Sequence, residues 1–391
     1  MTRFENHRAL KESRYTIFHL DGERGLRGGE RQLLYLAGYL RARGHDNVVA
    51  CRRESALERE ARRLGHRLLR LPFLGEWDPV SAALLRQAAE LSAKPPILHA
   101  HTGHAAALAF LASRVSGPPW VVHRRVDFKV AGFLSRRLKY ESAGRVIPVS
   151  RAIGAVLTEQ GLSPSLLTTI PDCLPVDEVE AGWGGAEAFA PAAPAAREAL
   201  RRRLGAAWRA DPAAPWIGNL AAMVPHKDQA NFLQAAARVR ERRPRARFWI
   251  IGEGPLRSEL GLLAGRLGLS SSLVFTGQQP AADWLRALDV FVLSSWGEGM
   301  GSVLLEAMAC RLPIAATTAG GIPEVIADGR TGLLAPPRDP EALAAAALRL
   351  LDDPALAERL AAAAEGELPR FSVSAAGRAV EKVYRELERT P

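Results

Sequence analysis

The residues best suited to chemistry lie between Trp296 and Pro313, WGEGMGSVLLEAMACRLP, where two carboxylates, Glu298 and Glu306, flank a glycine-bearing turn. Gly299 and Gly301 allow close backbone approach to a ligand and positive φ. Ser302 is the expected N-cap of a helix over VLLEAMAC. Free amides at such a start attract anions, phosphates above all. Glu298 falls in the loop and Glu306 about one turn inside the helix. They do not form a helical pair, so one acid can face the reacting end of a ligand while the other holds a different part. The plainer alternative is a solvated loop acid followed by a first-turn acid favoured by the helix dipole. Two further glycine turns stand at strand ends. Gly320, Gly321, Pro323 and Glu324 enter a helix in TTAGGIPEV, and Gly252 and Gly254 lie in IIGEGPLR, a loop that could admit a flat base.

These loops need a frame, and the chain supplies one. Strand-like YTIFHL, NVVACR, RLLRLP, PILHAH, WVVHRR and RVIPVS recur with helical stretches between most of them. The alternation restarts with WIGNLAAM, RFWIIGEG, LVFTG, VFVLSSW, LPIAAT and TGLLAPP. Such alternation predicts parallel sheets covered by helices, with ligands at the carboxyl ends of the strands. At 391 residues the chain is long enough for about two domains. The expected division is 1–178, an Ala-, Gly- and Pro-rich linker over 179–196, and 197–370. Three scattered cysteines form neither a metal-ligand spacing nor a disulfide framework. The polar start and the lack of a long apolar run predict a cytoplasmic protein. A formal charge of +10 fits nucleic acid, an anionic membrane surface or a phosphorylated substrate, and fits equally an arginine-rich proteome. No nucleic-acid motif accompanies it.

In order, IGEGP, VFTG, DVFVLSS, EGMGSVLLEAMACRLPIAATTAGGIPEVI and DGRTGLLAPP resemble glycosyltransferase family 4, with Glu298 and Glu306 on its Glu-x7-Glu pattern. More loosely, GGERQLLYLAGYLRARGH and ILHAHTGHAAALA look like the family's first domain. The resemblance implies a GT-B fold, two Rossmann-like doubly wound domains facing a cleft, and retaining transfer from a UDP-, GDP- or ADP-sugar without a cofactor. It places Glu298 on the sugar and Glu306 on the ribose. Gly299, Met300, Gly301, Ser302 and Val303 would offer amides to sugar and diphosphate, Gly28 and Gly29 would approach from the other domain, and Gly252 and Gly254 would line the donor site. Lys227 matches the family's phosphate lysine. The companion arginine is missing, since its position holds Ala222, so Arg124, Arg125 or His226 could substitute. A near-sugar histidine is expected in WVVHRRVDF, where His123 and Arg125 both remain candidates. His99 and His101 are expected to point to opposite faces, leaving His101 as the one nearer the cleft. The chain contains no Asp-x-Asp, which agrees with a metal-independent reaction.

In this family the first domain holds the acceptor, here His101, Arg124 and Arg125. The final helix, 371–391, is expected to pack back on that domain. Cations from Arg124 to Arg151, interleaved with Phe128, Phe133, Leu134 and Leu138, read as a basic amphipathic helix for an anionic membrane or a phosphorylated glycolipid. The expected role is assembly of lipopolysaccharide or another envelope glycan on the inner membrane face. Two rivals are a nucleotide-sugar epimerase of the same fold and a non-catalytic nucleotide-sugar-binding protein.

Overall fold

The computed structural model describes residues 15–114, 116–130, 132–176, 180, 182 and 189–388. Its first strand, β1 (Thr16–Asp21), is buried at every position. That pattern belongs to a strand covered on both faces, as in a parallel sheet flanked by helices. β1 pairs in parallel with β2 (Asp46–Arg52) and β4 (Pro96–Ala100). With β3 (Arg67–Leu71), β5 (Trp120–Arg124) and β6 (Arg145–Pro148), the order is β3-β2-β1-β4-β5-β6.

A second six-stranded sheet has the order β12-β11-β10-β7-β8-β9. Its strands are β7 (Trp216–Leu220), β8 (Arg247–Ile251), β9 (Leu273–Gly277), β10 (Val290–Leu293), β11 (Ile314–Thr317) and β12 (Leu333–Ala335). Numbered within its own half, this is the same order as the first sheet. The order reverses between β1 and β4 and again between β7 and β10. Each reversal opens a crevice at the carboxyl ends of the strands.

Within the stretch expected as a linker, a helix begins at Pro194 and runs to Trp208. Proline suits the first helical position, where its missing N–H costs nothing. Arg201 fastens this helix to the second half, bonding Asp289 and stacking 4.6 Å from the Trp216 ring. Residues 179, 181 and 183–188 of that stretch lie outside the described residues.

The last helix, Val373–Leu387, lies on the helix Gly28–Ala42 of the first half. Glu381 accepts from Tyr39 at 3.2 Å and meets His45 Nε2 at 3.1 Å. The chain therefore passes between the halves twice, and the two passages touch: Leu174 N–H donates to the Phe371 carbonyl at 2.9 Å. Glu180 binds them together, accepting from the amides of Val176, Val373 and Ser374.

The basic segment 124–151 is not one amphipathic helix. Arg124 ends β5, Arg145–Pro148 is β6, and among the described residues between them only Phe133–Glu141 is helical. Gly132, at φ 78°, makes the entry, and from Arg137 the coil widens to a π-helical turn.

Candidate active site

The loops after β7 and β10 form one surface. The His226 carbonyl accepts from Trp296 N–H at 3.0 Å and Gly297 N–H at 3.3 Å. Ser294 Oγ donates to the Lys227 carbonyl at 3.0 Å. The Lys227 ammonium is thereby brought onto Glu298, 2.5 Å from Oε2. Ser295 Oγ donates to the same oxygen at 3.1 Å. Glu298 is buried, so it is not a solvated loop acid. Gly321 N–H donates to its carbonyl at 3.1 Å. A Cβ on Gly320 would lie 1.9 Å from that oxygen, so only glycine fits there.

Gly301 has φ 81°, whereas Gly299 is required by contact, since a Cβ there would lie 2.1 Å from the Arg125 carbonyl. The helix that follows is short, Val303–Ala309. Ser302 stands at its start with helical dihedrals, and its side chain caps no amide. Ser302 thus holds the expected N-cap position without making the side-chain capping bond. The Ser302 hydroxyl faces the other half instead, and a Cβ on Gly28 would approach it to 3.0 Å. Two helix starts, at Gly28 and Val303, thus meet across the cleft. One turn along each, Arg31 Nη1 pairs with Glu306 Oε1 at 3.1 Å. Burial pushes the Glu306 carboxyl up and Arg31 pulls it back.

From the first half, Arg125 leans over Gly29. Its Nε donates to Asp172 at 3.0 Å, and its Nη1 lies 3.2 Å from His101 Nδ1. An arginine only donates, so His101 Nδ1 accepts and the His101 proton sits on Nε2. That nitrogen faces His19 Nδ1 at 3.2 Å, and His19 Nε2 donates to Asn47 Oδ1 at 2.9 Å. A second string joins His123, His99 and Tyr384, at 2.9 Å and 2.6 Å. Burial holds all four imidazoles below their ordinary value, His19 at about 4. His19, His99 and His101 offer nitrogens within 4.8 Å of one another, a spacing that would suit a metal ion. The Asn47 and Arg125 bonds commit the nitrogens of His19 and His101 to each other and to those partners.

His99 and His101 do not point to opposite faces. Their rings stack with centroids 4.2 Å apart. Side chains two residues apart on a strand share a face, so both lie on the same side of the sheet.

Against this geometry the comparisons are direct. Residues 26–178 match Glycosyltransferase Family 4, and residues 212–353 match Glycosyl transferases group 1. The alpha-D-kanosaminyltransferase of Streptomyces kanamyceticus is 32% identical over 74% of this chain and 77% of its own length. The chain belongs to glycosyltransferase family 4. The D-inositol 3-phosphate glycosyltransferase of Streptomyces griseus subsp. griseus is 30% identical over 74% of this chain and 66% of its own. The Anabaena protein Alr3699/HepE in complex with UDP-glucose superposes with a TM-score of 0.81 at 22% identity, over 96% of this chain and 99% of its own. The fold is GT-B and the protein is a glycosyltransferase.

In this family 4 chain, Lys227, Glu298, Gly299, Gly301, Ser302, Gly28, Gly29 and Arg125 converge on the cleft. Met300 is there through its backbone, since its side chain is in the core. Val303 opens the short helix. Gly252 and Gly254 have a packing reason. A Cβ on either would meet the backbone of the loop after β7, at Ala221 O (2.2 Å) and Met223 O (2.3 Å). Of the two near-sugar candidates, Arg125 stands at the cleft and His123 behind it against His99. Arg124 turns away, donating to Tyr140 Oη at 2.9 Å. Arg31, Asp172 and Ser295 were not singled out in the sequence. Only Arg31 left a signal, as the cation directly after the Gly28-Gly29-Glu30 run.

Proposed function

We propose that the protein is a retaining, metal-independent transferase that moves a sugar from a nucleotide-diphosphate sugar to a hydroxyl of an envelope glycan or glycolipid, working at the inner face of the membrane. The observation that carries this reading is the Lys227–Glu298 pair, 2.5 Å apart, set beside two facing helix starts. In the reaction the bond from sugar C1 to the phosphate oxygen breaks, and its electron pair leaves with the nucleoside diphosphate. Lys227 and the amides of the Gly299–Val303 turn stabilise that charge, each such preorganised donor contributing about 3 kcal/mol in a transition state. The acceptor oxygen bonds to C1 from the same face, and its proton passes to the departing phosphate oxygen. Glu298, fixed by Lys227 and Ser295, orients the sugar, and Glu306 takes the ribose hydroxyls.

A solved relative of the same fold binds UDP-glucose, which favours a UDP-sugar among the donors. Among the described residues no helix is long and apolar enough to cross a membrane. Attachment would therefore be peripheral, through the exposed Phe133, Leu134 and neighbouring cations. In a test with UDP-glucose, Glu298→Gln should lower transfer or donor hydrolysis by about 100-fold or more while UDP affinity changes little. Unchanged turnover would remove Glu298 from this role, and a product of inverted anomeric configuration by NMR would remove the retaining assignment.

A further inference from the structure

We infer that a cavity beside the cleft, on the far side of the 125–128 loop, holds the acceptor, and that this acceptor joins an apolar body to a phosphate-like anionic group. The inference rests on the transferase reading above. The cavity measures about 700 Å³, the size of a small-molecule site. It belongs wholly to the first half, between the end of β5 and the helical segment Phe133–Glu141.

Its position ties it to the donor seat. Arg125 leans over Gly29, while Phe128, three residues later, lines the cavity. The Phe128 ring also packs edge-on against His226 at 5.2 Å, next to Lys227. A Cβ on Gly297 would lie 3.0 Å from Asp127 Oδ2. One short loop therefore separates the two spaces, and an acceptor seated in the cavity has its hydroxyl end beside the sugar position.

The walls state the chemistry. Trp77, Phe128 and Leu134 line the cavity while 40%, 46% and 64% exposed. Large apolar side chains gathered in the open around one hollow mark a binding surface. Three cations, Arg124, Lys129 and Lys139, face a single carboxylate, Glu76. Glu76 is used by Lys139, whose ammonium also sits 5.5 Å from the Trp77 ring. Lys129 is exposed and has no carboxylate partner among the described residues. An amine-bearing acceptor would meet like charge here. A bare polyol would leave the apolar wall wet. An amphipathic anion satisfies both walls, and the π-helical turn Arg137–Glu141 puts Lys139 and Tyr140 in the lining.

Calorimetry on the full chain with monomeric octyl phosphate, octanol, octylamine and glucose 1-phosphate, each with UDP present, tests this. Octyl phosphate should bind at least about tenfold more tightly than the other three, a difference of ~1.4 kcal/mol. Lys129→Glu and Leu134→Ser should each weaken it by about tenfold and leave UDP affinity unchanged. Equal binding of octylamine or glucose 1-phosphate would overturn the inference. So would full octyl phosphate affinity in both variants, or binding of phosphatidylglycerol vesicles without binding of the monomer. UDP binding alone speaks to the donor reading: a chain that takes octyl phosphate but not UDP keeps the cavity and loses the donor assignment.

Discussion

At the scale of residues, Arg31 matters most among those the motif did not include. It stands across the cleft on Glu306, close to where two helix starts meet, and the loop after β7 offers Lys227 but only Ala222 beside it. With that loop short of one cation, Arg31 adds a positive charge on the opposite wall of the cleft. Arg31→Ala should weaken UDP binding by about 10–100-fold, the range for a charged hydrogen bond, and weaken uridine binding far less. Equal losses for both would mean that Arg31 only orients Glu306. The buried imidazoles make a second prediction. His19 titrates at about 4 when folded and at 6.5 when unfolded. The unfolded chain therefore binds more protons between those values, and stability is lost as pH falls from 6.5 to 4, by ~3 kcal/mol for this group. Asp21 acts in the opposite sense. Burial raises it to about 8, so its contribution is lost as pH rises from 3.8 to 8. The two contributions oppose each other where their windows overlap: relative to the unaltered chain, urea midpoints should rise less steeply with pH between 4 and 6.5 in His19→Gln, and fall less steeply between 3.8 and 8 in Asp21→Asn. Glu298, Glu306 and Lys227 were legible because glycine spacing and a family motif mark them locally. The Arg31–Glu306 pair joins residues 275 positions apart, and no local pattern announces it.

At the scale of elements, the turn at Gly320 and Gly321 does more than support Glu298. Glu324 crosses the cleft to the helix Arg151–Glu159, where its two oxygens accept from the amides of Arg151 and Ala152, each at 2.9 Å. Ser150 caps the same helix from within, accepting from Ile153 N–H at 3.2 Å. One helix start thus has its orphan amides satisfied from both halves. Glu324→Ala should expose two of them, at a cost of ~1 kcal/mol. In hydrogen exchange, the Arg151 and Ala152 amides should lose protection while those of β1 keep theirs. Most strands were legible because they are short apolar runs bounded by turns, buried on both faces. The segment 124–151 misled for a physical reason. Cations interleaved with Phe133, Leu134 and Leu138 mimic a helical stripe, yet here Leu134 and Leu138 border a cavity together with Arg124, Lys129 and Lys139, which come from a strand end, a loop and a helical turn.

At the scale of the molecule, the two halves repeat one strand order, and the chain crosses between them twice at adjoining points. A single tether would let the halves swivel in any direction. Two tethers fastened side by side, at Leu174 and Phe371 and clamped by Glu180, leave one axis, like the spine of a book. Glu180→Ala should loosen that axis, raising the KM for donor while far-UV circular dichroism stays unchanged. The facing pages carry Gly28, Arg31 and Arg125 on one side and Ser302, Glu306 and Glu298 on the other. Leverage then governs their register. Slack of a few tenths of an ångström at the spine is multiplied at the page edge, so the residues that set the fit between sugar and acceptor include some that touch neither.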